Sequence, residues 1–335
     1  MADRRTVTGN ADRRKKVGMA SLNSHAEDLA GFWKGEILWD SPMSRFSSLK
    51  VGGPAEAILF AESHAELQQL IGWLHENNVG WQVIGRGSNI LVPDEGLPGV
   101  VIFLDGEFAR FEIDENSPPA ADTETVRIWA GAGCLLPKLV RHCIINGLAG
   151  LEFAIGIPGS VGGAVVMNAG AWGHEISELI DTATVLDGNG AIAAVKKEGL
   201  GLAYRQWGMA PDTILLSATF VLTRGDQHTI EAESQRYQAL RKQKQPLGKA
   251  SAGSFFKNPP GQPAGRLIEE AGLKGFKIGD AMISDQHANF IVNTGKATAS
   301  DIFSLMQEVQ NKVYKQFGIK LEPEVHILGV KENRP

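Results

Sequence analysis

Two glycine-rich stretches are the parts of this chain best suited to hold a ligand. "IGRGSN", residues 84–89, follows the apolar run "WQV", so its backbone amides can point at a phosphate with no side chain in the way. It has neither the Gly-x-Gly-x-x-Gly spacing of a dinucleotide fold nor the Gly-Lys-Ser/Thr of a P-loop, and by itself it reads as a tight turn. "GIPGSVGGAVVMNAGAWG", residues 156–173, holds six glycines and a proline together with Ser160 and Asn168. A loop this poor in side chains lets backbone pass close to a flat or phosphate-bearing ligand. A compact loop that merely packs is the plainer alternative, but two such loops, each after a strand, point to a large nucleotide cofactor. A third stretch, "SAGSFFKNP", sets Ser254 between a glycine and two phenylalanines with no histidine near it in sequence. A nucleophilic serine needs an adjacent base, so Ser254 taken alone reads as a turn hydroxyl bonded to nearby backbone.

Composition limits the surroundings in which those stretches work. At 335 residues the chain is long for one core, which favours two or three domains. A net charge of −5 provides no global positive field for nucleic acid or an anionic membrane, so an anionic ligand needs a local site. Cys134 and Cys143 are the two cysteines and fall on a predicted helix. With no even-spaced framework and no histidine cluster they read as core thiols in a reducing cytoplasm, and no structural zinc or other metal is expected. The longest apolar runs, Val100 to Leu104 and Ile214 to Leu222, are of strand length and too short to span a bilayer. The start, "MADRRTVTGNADRRKKVGM", lacks the apolar segment of a secretory signal and reads as a basic, disordered tail. A cytoplasmic monomer or weak oligomer, bound to neither nucleic acid nor membrane, is expected.

The elements that must position these loops show in the hydrophobic periodicity. A helical arm over 22–39 leads to a glycine-pair loop and a strand. Over 63–78, Leu67, Leu70, Ile71 and Leu74 recur at helical period behind a capping-box "SHAE", and "WQVIG" follows as a strand. From residue 100 come strands "VVIFL", "ARFEI" and "TVRIWAGAG", a helix over 135–146 closed by Gly147, and strands near 182–186 and 214–222. A charged helix over 228–246 is broken by "QPLGKASAG", and a short helix over 264–271 and the strand "NFIVN" follow. An amphipathic helix over 300–317 carries Ile302, Leu305, Met306, Val309 and Val313 on one face and is closed by Gly318, ahead of a last strand "KLEPEVHILG".

Taken in order, "SSLKVGGPAEA", "GRGSNILVPDEG", "GLEFAIGIPGSVGGAVVMNAGAWGHEI", the Tyr204-Arg205 pair, "KQKQP", "SAGSFFKNP", "AGRLIEEAGLKGFKIGDAMISDQHANFIVN" and "LEPEVHILG" closely resemble UDP-N-acetylenolpyruvoylglucosamine reductases. The likeness runs from about residue 45 to 330. It implies an α+β chain with a two-subdomain FAD-binding fold of the vanillyl-alcohol oxidase type plus a C-terminal α+β substrate-binding domain. The corresponding division is an extension over 1–40, FAD subdomains over 41–105 and 106–226, and a substrate domain over 227–330 whose last strand returns to the FAD region. The resemblance further implies that Gly85, Arg86, Gly87, Ser88, Asn89, Gly156, Ile157, Pro158, Gly159, Ser160, Gly162 and Gly163, with Asn168, Ala169, Gly170 and Ala171, surround the FAD. Family members commonly carry tyrosine where Trp172 stands; the ring is kept and the hydroxyl lost, so no hydrogen-bonding role is assigned to it.

The implied reaction is NADPH-dependent, FAD-mediated reduction of UDP-N-acetylglucosamine enolpyruvate to UDP-N-acetylmuramate for peptidoglycan. It needs a proton donor for a carbanion and stabilisation of an enolised carboxylate. By resemblance Ser254 is the donor, a role a neutral hydroxyl can fill when the acceptor is a strong base held in contact. Glu324 in "LEPEVHIL" and Arg205 in "AYRQWGM" match the other two catalytic positions. Arginine suits a two-point grip on a carboxylate, and a protonated glutamate a hydrogen bond to the enolate. Alone, Glu324 reads as an exposed strand residue and Arg205 as a surface charge. Lys244 and Asn258 match positions near the substrate diphosphate, and Arg266 and His287 lie in matching segments; a solvated helix face is the alternative for Lys244 and a turn for Asn258. The interval from Arg205 to Ser254 is too short for the inserted tyrosine loop of some members, so the chain resembles the variety without that lid. The competing expectations are an FAD oxidase of a sugar or hydroxy acid, whose relatives lack the "GSFFKNP" and "PEVHILG" pair, and a non-catalytic nucleotide-sugar binder.

Overall fold

The computed structural model describes residues 22–114 and 125–329. The expected helical arm is a single 3-10 turn, Leu22–His25, and one short helix, α1 (Ala26–Phe32), because the chain then becomes the strand Ile37–Pro42 and pairs antiparallel with Pro54–Ala61. That pair begins a four-stranded sheet completed by Leu97–Leu104 and Trp81–Val83, both parallel to their neighbours. Helix α2 (His64–Glu76) buries Leu67, Leu70, Ile71 and Leu74 against Ala57, Leu59, Val100 and Ile102 of this sheet. Its capping box is half made: Ser63 Oγ accepts from the Glu66 amide, whereas the Glu66 carboxylate accepts from Glu62.

A second, antiparallel sheet runs in the order Ile192–Lys196, Ile180–Leu186, Ile214–Arg224, Thr125–Gly131, Phe111–Asp114. Leu186, Ile214 and Leu216 join the core of the first sheet, while the main core of the second lies under α3 (Leu136–Ile145) and α4 (Val161–Val166). Cys143 sits on α3, but Cys134 falls in the turn ahead of it; both are buried. Helix α5 (Gln227–Lys244), expected to open the last domain, instead docks on the second sheet's helices, with Tyr237 in the same core as Leu139, Cys143 and Phe153.

A third sheet, Ala250–Ser251, Ile291–Asn293, Ala281–Ile283, Lys277–Ile278, packs with α6 (Ala264–Glu270) and α7 (Ala299–Phe317). Thr298 and Asp301 form a full capping box on α7, and Gly318 ends it with φ 70°. The closing segment is not one long strand. Phe256 and Pro323 make an isolated bridge, and only His326–Ile327 is a strand, pairing parallel with Ile90–Leu91 beside the first glycine loop. The chain end therefore passes the Ser254 segment on its way back to residues 84–91. No helix among the described residues is long and apolar enough to cross a membrane.

Candidate active site

The two glycine loops face one cavity of about 1090 Å³. Loop 84–89 leaves the strand Trp81–Val83 and turns at Gly87, where φ is +63° and a Cβ would stand 1.8 Å from the Phe46 carbonyl oxygen. Only glycine fits there. The loops touch: Ser88 Oγ donates to the Pro158 carbonyl at 3.2 Å, and a Cβ on Gly85 would meet Ser160 Oγ at 2.5 Å. Ser160 is also the cap of α4, accepting from the Gly163 amide. All five residues from Gly85 to Asn89 line the cavity, as do Gly156, Ile157, Pro158, Gly159, Ser160, Gly162 and Gly163.

Ala169, Gly170 and Ala171 line the same wall, but Asn168 does not. Its side chain is buried behind the wall, donating to Glu175 Oε2 at 2.8 Å and the Ala203 carbonyl at 3.1 Å and accepting from the Ser177 amide. Asn168 thus braces the turn that Ala169 to Ala171 present to the cavity.

Ala203 and Gln206 exchange backbone hydrogen bonds, which puts Tyr204 and Arg205 at the tip of a tight turn with Arg205 at φ +58°. From there Arg205 Nε donates to Glu324 Oε1 at 2.9 Å, Nη1 to the Asn168 carbonyl at 3.1 Å and Nη2 to the Gly170 carbonyl at 3.2 Å, with Glu175 Oε1 3.5 Å away. The fork expected to grip a substrate carboxylate on two points is largely filled by the protein. Burial raises the Glu324 carboxyl above its ordinary range even though Arg205 and Lys257 pull the other way.

Ser254 is held by its neighbours. Phe255 and Phe256 are buried at 0% and 1% exposure, and Asn289 brackets both: its carbonyl and Oδ1 accept from their amides, and its Nδ2 donates to the Phe256 carbonyl. The Glu324 amide donates to the Phe255 carbonyl at 2.9 Å. This pairing brings Ser254 and Glu324 to one stretch of wall. Among the described residues the Ser254 hydroxyl has no hydrogen-bond partner, so its proton is not committed to the protein.

The remaining expected residues divide. Asn258 lines the cavity, but its Oδ1 accepts from the Ala264 amide at the start of α6 and its amide donates to Tyr204 Oη at 3.4 Å. Lys244 is exposed at the end of α5 and off the wall, its ammonium 5.8 Å from the Trp172 ring centroid. Arg266 is 73% exposed, paired with Glu270 at 2.6 Å, and also off the wall. His287 packs edge-on against Phe290 and accepts from the Asn289 amide; burial, then Lys274, lowers its pKa, and it does not reach the cavity either. The wall also includes Tyr204, marked in the sequence only as part of the resemblance, and Arg241, Trp207 and Asn289, which the sequence did not single out. For Asn289 the available signal was an amide side chain next to the apolar run "FIV", since a polar side chain buried there needs partners.

Residues 55–196 match the family of FAD binding domains, and residues 245–328 match the C-terminal domain of UDP-N-acetylenolpyruvoylglucosamine reductase. The second match begins just past α5, which agrees with that helix docking on the second sheet. The chain is 43% identical over 304 residues to the UDP-N-acetylenolpyruvoylglucosamine reductase of Syntrophus aciditrophicus, covering 90% of this chain and 95% of that one. The enzyme of the same description from Clostridium beijerinckii is 45% identical over 295 residues, 88% of this chain and 93% of the relative. Among solved structures, the UDP-N-acetylenolpyruvylglucosamine reductase of Thermus caldophilus superposes with a TM-score of 0.74 at 38% identity, covering 88% of this chain and 98% of that one.

Proposed function

The chain belongs to the UDP-N-acetylenolpyruvoylglucosamine reductase family, and from that premise we propose that Ser254, Glu324 and Arg205 carry its chemistry. The protein is an FAD-dependent oxidoreductase that reduces UDP-N-acetylglucosamine enolpyruvate to UDP-N-acetylmuramate with NADPH, a step in peptidoglycan precursor synthesis.

The residues present fit the flavin. Loops 85–89 and 156–163 give the cavity a wall rich in backbone, with Gly87 at a position where any side chain would strike the Phe46 carbonyl. A volume of about 1090 Å³ stands at the upper end of small-ligand sites, in keeping with a large nucleotide cofactor. Once reduced by NADPH, the bound FAD supplies the hydride equivalent that the enol ether takes up.

The single observation that carries the assignment is the convergence of Arg205, Glu324 and an uncommitted Ser254 hydroxyl on one wall of that chamber. Addition of hydride to the vinyl carbon leaves the adjacent carbon as a carbanion conjugated with a carboxylate. Ser254 gives that carbon its Oγ proton, and water restores the hydroxyl. Glu324, whose pKa burial raises, donates in its protonated form to the enolised carboxylate, and Arg205 fixes the Glu324 rotamer while lending positive potential. Asn258 ties the Tyr204 turn to the start of α6 at the cavity wall. A cytoplasmic location and a monomeric or weakly associating state complete the reading.

The purified protein should be yellow, bleach with NADPH without oxygen, and regain flavin absorbance on adding the enolpyruvyl substrate. A bleached flavin that the substrate leaves unchanged would refute the reading.

A further inference from the structure

Arg241 is a buried cation whose charge is unanswered among the described residues. It is 9% exposed, and no carboxylate among the described residues lies within ion-pair distance of it. Its Nε is buried without a hydrogen-bond partner, and Nη1 reaches only Gln245 Oε1, at 3.3 Å. The Trp172 ring, 5.9 Å from the guanidinium carbon, offers a π face and no lone pair for the Nε proton. Burial lowers the Arg241 pKa, the mark of a charge held away from water without compensation.

The surroundings make room for this arrangement. Gly156 stands at φ +75°, and a Cβ there would lie 3.0 Å from Arg241 Cδ, so the second glycine loop yields to the arginine stem. Arg241 and Gln245 lie on the cavity wall, and Lys244 brings a second positive charge to 5.8 Å from the Trp172 ring centroid. Glu233, the acidic residue two turns earlier on α5, is taken by Arg236.

We propose that Arg241 binds the diphosphate of a nucleotide ligand entering this cavity, its planar fork supplying the two-point contact that Arg205 has already given to the protein. The assignment rests on the reductase reading, which supplies two nucleoside diphosphates besides the FAD itself, the pyridine dinucleotide and the UDP-sugar. An unpaired buried guanidinium costs stability in the free protein and regains it when the anion arrives.

The test uses holoenzyme with Arg241→Met and Arg241→Lys beside wild type, titrated calorimetrically with UDP and, separately, with NADP⁺. Flavin content and thermal midpoint are read in parallel. Arg241→Met should keep its FAD, melt no lower than wild type, and bind one or both ligands roughly 10- to 100-fold more weakly, with Arg241→Lys in between. Weakening in the UDP arm identifies the UDP-sugar as the source, and weakening in the NADP⁺ arm the dinucleotide. Unchanged affinity for both, or loss of FAD, would overturn the proposal. Should Arg241→Met fail to fold, Arg241→Lys decides, and wild-type affinity for both ligands in that variant refutes the assignment. A wild type that binds neither ligand contradicts the reductase reading itself.

Discussion

Arg205 Nε lies 2.9 Å from Glu324 Oε1, joining residues 119 positions apart, and the same guanidinium holds the carbonyls of Asn168 and Gly170. One side chain therefore couples the last segment of the chain to the turn that lines the cofactor cavity. The pair also opposes two effects on one carboxyl: burial favours the neutral acid, Arg205 favours the anion, and burial prevails.

That outcome sets a pH dependence. The neutral fraction of Glu324 falls as pH rises through its raised pKa. Substrate reduction should therefore decline along an alkaline limb displaced upward from the ordinary carboxylate range. Glu324→Gln should lose the limb, and Glu324→Ala should slow flavin reoxidation by about 10²- to 10³-fold. Anaerobic stopped-flow across pH measures both, and a limb that survives in Glu324→Gln would assign it to another group.

Gly87→Ala tests the cradle. The substitution puts a Cβ against the Phe46 carbonyl at a left-handed φ of +63°, so a cost of at least about 2 kcal/mol is expected. Flavin-to-protein absorbance and urea unfolding should both fall, whereas full flavin occupancy at wild-type stability would show that the loop can move aside.

Asp94 ties the first sheet's loop to α7, with its carboxylate accepting from the amides of Ala299 and Ser300 and from Ser300 Oγ at 2.8 to 2.9 Å. Burial works to raise its pKa, but these three donors outweigh it and the net shift is downward. A lowered carboxyl contributes stability above its unfolded pKa and loses it as pH falls through the folded value. Asp94→Ala should thus cost about 1 kcal/mol at neutral pH, with the gap from wild type closing in acid. Guanidinium midpoints at the two pH values check this.

The thiols of Cys134 and Cys143 are pushed up to about 11 and about 12 by burial. Neither should react with an aromatic disulfide reagent at pH 8 in the folded protein, and both should react in denaturant. A fast-reacting thiol in the native state would mean that the α3 region opens.

Much of this was legible in the sequence, for identifiable reasons. The two loops announced themselves because glycine density is a local property, and α2, α3 and α7 because their buried positions recur at helical period. The packing partner of α5 was not legible: periodicity says which face is apolar, not which core it meets, and Tyr237 joins residues some ninety positions away. Arg241 went unmarked in the sequence for a similar reason, since the Trp172 ring and Gly156 that flank it come from a distant loop. Arg205 was marked, yet its filled fork depends on backbone carbonyls that no residue type reveals. The last strand shrank to two residues because the segment changes partners, meeting Phe255 and Phe256 first and Ile90 and Leu91 after.

The central claim is that Ser254 supplies a proton in the second half-reaction and plays no part in the first. Anaerobic stopped-flow of Ser254→Ala measures it directly. Bleaching of the flavin by NADPH should keep its wild-type rate, while reoxidation by the enolpyruvyl substrate should slow by about 10²- to 10⁴-fold. Reoxidation at the wild-type rate would contradict the account and remove the serine from the mechanism.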